Sequence, residues 1–484
     1  MTGITAFGAY IPWRRLERAA IFEANRWFAP GLRGLAKGRR AIASWDEDSV
    51  TMAVEAARDC IGDRPRADIR SVILASTSLP YSDRQNAGIV KEALSLNDEI
   101  GTLDVSSSQK AGTGALIQGL HAAEALRAPV LVTAAEKRRA KPASEEELLN
   151  GDGAAGFLVS PDDGVARLVG TYSAAVDFVD HFRAASCEFD YGWESRWIRE
   201  EGFEKIGAAA VKAALARYNI PPARVSQLVV GVPVRGMAAA FARRLGIPPE
   251  SAQLDLGETV GHVGAAQPLL MLAYALERAA PGDLLVVVGF GQGADVLIFE
   301  VTAEIGRVQR GLGVSGSLTR GIPESNYLKY LAWTGNLQLE LGKRAEFDQK
   351  PVPTALYRSR RAVLGLVGSR CQRTGDVQFP RSEISVAGAD AASDPQEDYP
   401  LADRMARILT FTADHLTFTP DPPAYYGMVE FEGGGRMLAE FADVQPDVVR
   451  VGALMRMMFR IKAIDNRSGF VKYFWKAVPS AGSV

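Results

Sequence analysis

The feature that most constrains this chain is an order of elements written twice. "SVILASTS" (Ser71–Ser78) is a short apolar run, and "RQNAGIVKEALSL" (Arg84–Leu96) has helical spacing. "DVSSSQKAGTGALIQGL" (Asp104–Leu120) then passes from an apolar run through small polar residues into a small-residue helix. Strand-like "PVLVTAAEK" (Pro129–Lys137) and "GAAGFLVS" (Gly153–Ser160) follow. The order restarts with the helix "GFEKIGAAAVKAALARYNI" (Gly202–Ile220), the strand "SQLVVGVPV" (Ser226–Val234) and the helix "MAAAFARRLGI". A second small-residue helix, "HVGAAQPLLMLAYALERA" (His262–Ala279), and the strand "DLLVVVGF" (Asp283–Phe290) complete it. Such alternation implies a mixed α/β sheet with helices on its faces. Gly/Ala-rich helices suit a central layer where backbones approach closely, so the two matching helices are expected there.

The rest of the chain has a different texture. With 484 residues, two or more domains are expected. "RVQRGLGVSGSLTRGIPESN" reads as loop, and "YLKYLAWTGNLQLELGKR" as a helical bridge. From about Pro351, "AVLGLVGSRC", "RILTFTADHLTF", "YYGMVEFEG", "GRMLAEFAD", Met455–Asp465 and "GFVKYFWKAVP" are short strand-like runs broken by Gly, Pro and Asp. They suggest a small barrel, with an OB-fold leading. The domains are therefore drawn at 1–302, with halves of about 1–170 and 171–302, a bridge at 303–350, and a β domain at 351–484.

Composition excludes several classes. A 47% apolar content and a formal charge of −2 describe a soluble globular protein with no basic excess for nucleic acid. No apolar run reaches the ~18 residues of a membrane helix. The N-terminal residues do not read as a signal peptide. Three scattered cysteines fit a reducing cytoplasm and exclude a disulfide framework. A catalytic histidine must be His121, His181, His262 or His415.

"SSSQKAGTGAL", "GDGAAGFLV" (Gly151–Val159), "GHVGAAQPLL" (Gly261–Leu270) and "GFGQGADVLIFEV" (Gly289–Val301) together resemble the thiolase superfamily, in its hydroxymethylglutaryl-CoA synthase and ketoacyl synthase III branch. The tail from "YYGMVEFEGGGRMLAEFADV" to "FRIK" resembles the acyl-CoA-associated OB-fold domain that accompanies thiolase-like proteins. The resemblance implies a duplicated five-layered thiolase-like α/β fold followed by an all-β OB-fold barrel. It also implies a CoA thioester as substrate, no tightly bound cofactor, and a homodimer.

Measured against that family, the site residues depart. A cysteine opens the family's first buried helix, where the helix N-terminus favours a thiolate; here that place holds Gln109. The family glutamate falls near Thr77. The family histidine falls near Gly231, Val232 and Pro233, and the family asparagine at His262. Glutamine cannot be acylated as a cysteine can. It can exchange hydrogen bonds with a thioester oxygen beside the helix N–H groups.

Other residues have two readings each. His262 is a donor to a carbonyl or enolate oxygen, or a helix-start residue satisfied by backbone. Tyr81 and Asp83, in "SLPYSDRQNAGIV", supply missing acid–base chemistry or form a capping cluster. Ser106, Ser107 and Ser108 are a replacement nucleophile or cap the helix. His181 lines an acyl entrance or is structural, and His121 reads as structural. "KRRAK" and "RSRR" contact CoA phosphates or are solvated surface. "GFGQGADVLIF" fails the dinucleotide context, because a strand follows it, and reads as a tight turn. Cys371 stands where a zinc ribbon would begin, but Thr374 replaces its partner, so no metal is expected.

Two functions follow. One is non-covalent carbon–carbon cleavage of a CoA thioester, retro-Claisen or decarboxylation, through Gln109 and His262, with Asp83, Tyr81 or Thr77 as further groups. The other is a non-catalytic CoA-binding or scaffold subunit for a separate thiolase.

Overall fold

The computed structural model describes residues 2–232, 236–308, 311–341, 352–386, 393 and 395–480. They divide into two compact units. The first comprises residues 1–44, 48–88 and 98–336; the second comprises 45–47, 89–97 and 337–484.

A nine-stranded sheet organises the first unit. Its strands are β1 (Gly3–Tyr10), β2 (Ser71–Ala75), β3 (Gly101–Val105), β4 (Val130–Glu136), β5 (Gly153–Ser160), β6 (Ala166–Ala175), β7 (Gln227–Val230), β8 (Leu284–Phe290) and β9 (Gly293–Val301). The order is β7-β8-β9-β6-β1-β5-β4-β2-β3. The junction between β1 and β6 separates two halves of like design. Outward from it, β1-β5-β4 are antiparallel and β2 joins β4 in parallel. On the other side β6-β9-β8 are antiparallel and β7 joins β8 in parallel. The first half adds β3 beyond β2. The strands β4, β5 and β8 are buried at every position, as strands covered on both faces must be.

Four helices matter for the site: α1 (Ser49–Ile61), α2 (Ala111–Leu126), α3 (Met237–Leu245) and α4 (Gln267–Leu276). Residues of α2 and α4, among them Ala115, Leu116, Leu269 and Leu272, share one buried apolar cluster with Val132 of β4 and Phe299 of β9. The two small-residue helices therefore do occupy one layer. Their closeness has a concrete measure: a Cβ added to Gly112 would lie 2.2 Å from the Ala265 carbonyl oxygen.

The second unit carries a barrel-type sheet of β10 (Met405–Ile408), β11 (Thr412–Asp414), β12 (Ala424–Phe431), β13 (Arg436–Glu440), β14 (Leu454–Asp465) and β15 (Phe470–Pro479). The order is β11-β12-β10-β14-β15, with β13 on β12. Inside it, Arg460 is wholly buried and pairs with Glu47 (2.7 Å), Asp46 (3.4 Å) and Asp443 (2.6 Å). Lys476 pairs with Asp46 at 2.9 Å and lies 4.1 Å from the Trp45 ring centre. Burial acts to raise the Asp46 carboxyl, but Lys476 and Arg460 outweigh it and hold the group below its ordinary value.

Some sequence expectations are corrected. The stretch expected to be loop contains a helix, Gly313–Thr319, and a strand, Ile322–Glu324, parallel to Arg14–Glu17. Residues 303–336 fall with the first unit. The helix expected from Gly202 begins earlier, with a wide-turned i→i+5 segment at Ile198–Gly207 that leads into Ala208–Arg217. Residues 233 and 234 of the expected strand, and 342–350 of the bridge, lie outside the described residues.

Candidate active site

The chain leaves β3 through three serines. Ser107 takes a left-handed φ of +70°, a conformation that costs a non-glycine residue energy and persists where the surroundings impose it. The Ser108 hydroxyl donates to the Gly291 carbonyl at 3.0 Å. A Cβ on Gly291 would stand 3.0 Å from both the Gln109 and Lys110 amide nitrogens. The "GFGQG" turn between β8 and β9 thus presses on the start of α2, which explains its glycine there.

Gln109 follows. It is 7% exposed, and neither its carboxamide oxygen nor its nitrogen has a hydrogen-bond partner. An unsatisfied buried amide costs about 1–3 kcal/mol. It sits at the N-terminus of a 16-residue helix, whose first-turn N–H groups lack helical acceptors.

The second helix start faces it. Gly264 opens a short 3₁₀ turn, Gly264–Ala266, that runs into α4. At φ +49°, its position is bounded by three side chains. A Cβ there would lie 2.9 Å from Gln109 Oε1, 2.9 Å from Arg138 Cδ and 3.2 Å from Glu136 Cγ. Gln109, Glu136 and Arg138 therefore surround a single point.

His262 precedes this turn by two residues. Its backbone bonds to Leu149 and Gly151, and its Nδ1 accepts from the Gly264 N–H at 3.3 Å. The ring also hydrogen-bonds the Gly231 backbone. Burial, then the Arg138 cation, push its pKa down to about 3, so the ring is neutral at ordinary pH.

Glu136, at the end of β4, is fully buried. Its Oε1 accepts from the Thr77 N–H, and its Oε2 accepts from the Thr77 hydroxyl (3.1 Å) and the Ser78 hydroxyl (2.9 Å). Burial raises its carboxyl above the usual range despite these donors and Arg138. Arg138 spends its guanidinium elsewhere, on Asp190 (3.0 and 3.1 Å) and Asn150 (2.9 Å). Asp190 also holds Arg183 at 2.9 Å, and Arg183 donates to the Thr77 carbonyl.

Of the residues singled out in the sequence, Gln109 lies at the meeting of the two helix starts. His262 is joined to Gly264, and Thr77 to Glu136. Tyr81 and Asp83 belong instead to a turn. The Tyr81 amide and carbonyl bond to Asn86, its hydroxyl accepts from Arg84 at 2.9 Å, and Asp83 is exposed. Glu136 was not singled out: a lone glutamate closing an apolar strand looks like any strand end, and its partners are 59 residues upstream. For a metal, the Cys371 thiol accepts from the Thr374 N–H. Among the described residues no group of three His, Cys, Asp or Glu could hold an ion. No described helix is long and apolar enough to cross a membrane.

The likenesses of this chain match its two units. A profile described as "3-Oxoacyl-[acyl-carrier-protein (ACP)] synthase III C terminal" matches residues 215–298, and one described as "ChsH2, C-terminal OB-fold domain" matches residues 399–460. The hydroxymethylglutaryl-CoA synthase of Caldivirga maquilingensis is 30% identical over 340 residues, 68% of this chain and 97% of that protein. That of Methanopyrus kandleri is 28% identical over 63% of this chain and 89% of its own length. Among solved structures, a hydroxymethylglutaryl-CoA synthase complexed with CoA matches with a TM-score of 0.61 at 18% identity, covering 72% of this chain and 95% of that one. Ketoacyl synthase III of Pseudomonas aeruginosa matches at 0.55 and 20% identity, covering 62% and 98%. A thiolase-like α/β domain followed by an OB-fold domain is thus the architecture, and the chain belongs to the hydroxymethylglutaryl-CoA synthase family.

Proposed function

We propose that this chain cleaves a carbon–carbon bond of a CoA thioester, by decarboxylation or retro-Claisen reaction, without an acyl-enzyme. The observation that carries this reading is the buried, unpartnered Gln109 carboxamide at the start of α2, a position to which the sequence resemblance assigns the family's nucleophile. Proteins of this fold have been solved with CoA and with 3-hydroxy-3-methylglutaryl coenzyme A, which supports a CoA thioester as the ligand class.

In a decarboxylation the bond from the α-carbon to the carboxylate breaks, CO2 leaves, and the electron pair moves onto the thioester carbonyl. The resulting enolate oxygen needs donors. The Gln109 Nε2–H and the N–H groups opening α2 supply them in a dry, preorganised site. His262, neutral and bonded to Gly264, holds the facing turn.

The test incubates the full-length protein with malonyl-CoA and with acetoacetyl-CoA and follows the products by mass spectrometry. CO2 release from malonyl-CoA, or conversion of acetoacetyl-CoA to acetyl-CoA with added CoA or water taking the acetyl group, reduced about 10²–10³-fold by Gln109→Ala and with no adduct at residue 109, is the expected result. An acyl adduct on the protein overturns the non-covalent route. The second reading, a CoA-binding subunit for a separate thiolase, draws on the same absence of a nucleophile at Gln109. CoA binding without turnover of either probe would favour it. The dimer expected from the family is part of the proposal, with β3 at one end of the sheet order as the edge that pairs. A reducing cytoplasm is the proposed setting, consistent with three free cysteines.

A further inference from the structure

Burying a carboxyl is costly unless a cation or several donors compensate it. Glu136 is wholly buried, and the guanidinium whose charge acts on it, Arg138, is engaged by Asp190 and Asn150. What Glu136 has instead is two hydroxyls. Ser78 is locked: its hydroxyl donates to Glu136, accepts from the Lys137 N–H at 2.9 Å and lies 3.2 Å from the Ser76 hydroxyl. Thr77 differs. Arg183 pins its carbonyl and its N–H is held by Glu136, but among the described residues the one hydrogen bond of its hydroxyl is to Glu136 Oε2, and the residue is partly exposed. The Glu136 side chain, at its Cγ methylene, comes within 3.2 Å of the point at Gly264 that Gln109 Oε1 also borders, one bond before its carboxyl.

We propose that Thr77 and Glu136 form a proton-transfer couple that serves the α-carbon of the bound thioester. The enolate α-carbon takes the proton of Thr77 Oγ1, and Thr77 Oγ1 takes the proton of the Glu136 carboxylic acid. Glu136 is left as a carboxylate and regains its proton from solvent. In reverse, the carboxylate draws the Thr77 proton as the hydroxyl removes one from the α-carbon. The 3.1 Å separation is hydrogen-bond reach for such a transfer. Burial favours the protonated carboxyl over the carboxylate, which suits a donor. Two cations act on the couple: Arg138, whose charge opposes the rise of the Glu136 carboxyl, and Arg183, which donates to the Thr77 carbonyl; Asp190 engages both.

The couple rests on the reading that a CoA thioester binds with its carbonyl at Gln109, but its test needs no bond cleavage. The full-length protein is incubated with propionyl-CoA in D2O, and deuterium at the α-carbon is followed by mass spectrometry. Wild type is expected to exchange the α-protons. Glu136→Gln and Thr77→Val are each expected to slow exchange roughly 10²-fold or more, while Thr77→Ser, which keeps the hydroxyl, retains most of it. Thr77→Val leaves the buried carboxyl in place and so gives a reading even where Glu136→Gln fails to fold. Exchange in Thr77→Val at the wild-type rate overturns the couple. So does absence of exchange by wild type, while the cleavage reading then stands or falls on its own malonyl-CoA and acetoacetyl-CoA assay.

Discussion

His262 carries no charge at neutral pH, and that has a thermodynamic consequence. Its pKa is about 3 in the folded chain against an ordinary 6.5. The native state then binds fewer protons than the unfolded state below pH 6.5. The stability this group contributes is complete above 6.5 and is lost as pH falls toward 3. The melting temperature should therefore drop between pH 7 and pH 4, and His262→Asn should flatten that drop in a thermal melt series. Glu136 behaves oppositely. Its carboxyl is raised above the ordinary 4.5, so its contribution is complete below that value and is lost as pH rises through the folded pKa. The melting temperature of Glu136→Gln relative to wild type should climb from pH 5 to pH 8; a constant difference would contradict the burial argument. At this scale Gln109 and His262 were legible, because each stands at the head of a recognisable helix. Glu136 was not, since a carboxyl's environment is assembled from loops remote in sequence.

Elements carry their own signals when the pattern is local. The two small-residue helices and the apolar strands between them could be read directly, because Gly and Ala content and apolar runs reflect what surrounds each segment. The helix Gly313–Thr319 could not. Its first N–H groups are capped from afar: Asp59 accepts from Leu312 and Gly313, and Glu277 accepts from Val314 and Ser315. A helix with imported caps and two glycines shows no start signal of its own. The close approach of α2 to residue 265 makes a second prediction. In an ordinary helix, Gly→Ala gains up to about 1 kcal/mol. At Gly112 the new methyl would meet a backbone oxygen at 2.2 Å, which cannot rotate away. Gly112→Ala should instead destabilise, by about 1–3 kcal/mol, and shift the urea midpoint downward. On the proposed cleavage reading it should also slow that reaction, by moving Gln109 away from Gly264.

For the molecule as a whole, the sheet's end strand and the second unit's ion cluster give the remaining expectations. In β3, Leu103 is 45% exposed at the end of the sheet order. If β3 pairs with a second copy, Leu103→Asp should convert a dimer of the 52.1 kDa chain into monomer in sedimentation analysis. A wild type that sediments as a single chain at micromolar concentration removes this assembly. Arg460→Met should cost about 3–5 kcal/mol, the loss incurred when one member of a buried ionic group is deleted, seen as early melting of the second unit.

The membership of that second unit has a further consequence. Trp45, Asp46 and Glu47 belong to it, yet they are encoded some 290 residues before Leu337, where its continuous stretch begins. Arg460 and Lys476 find their counter-charges on that tripeptide. The OB-fold region therefore draws part of the charge balance of its interior from a segment far upstream of it. A fragment begun at Leu337 would lack Asp46 and Glu47, keeping Asp443 beside Arg460 and Glu440 beside Lys476, so it should be rescued in part by supplying the tripeptide's carboxylates from a grafted upstream segment.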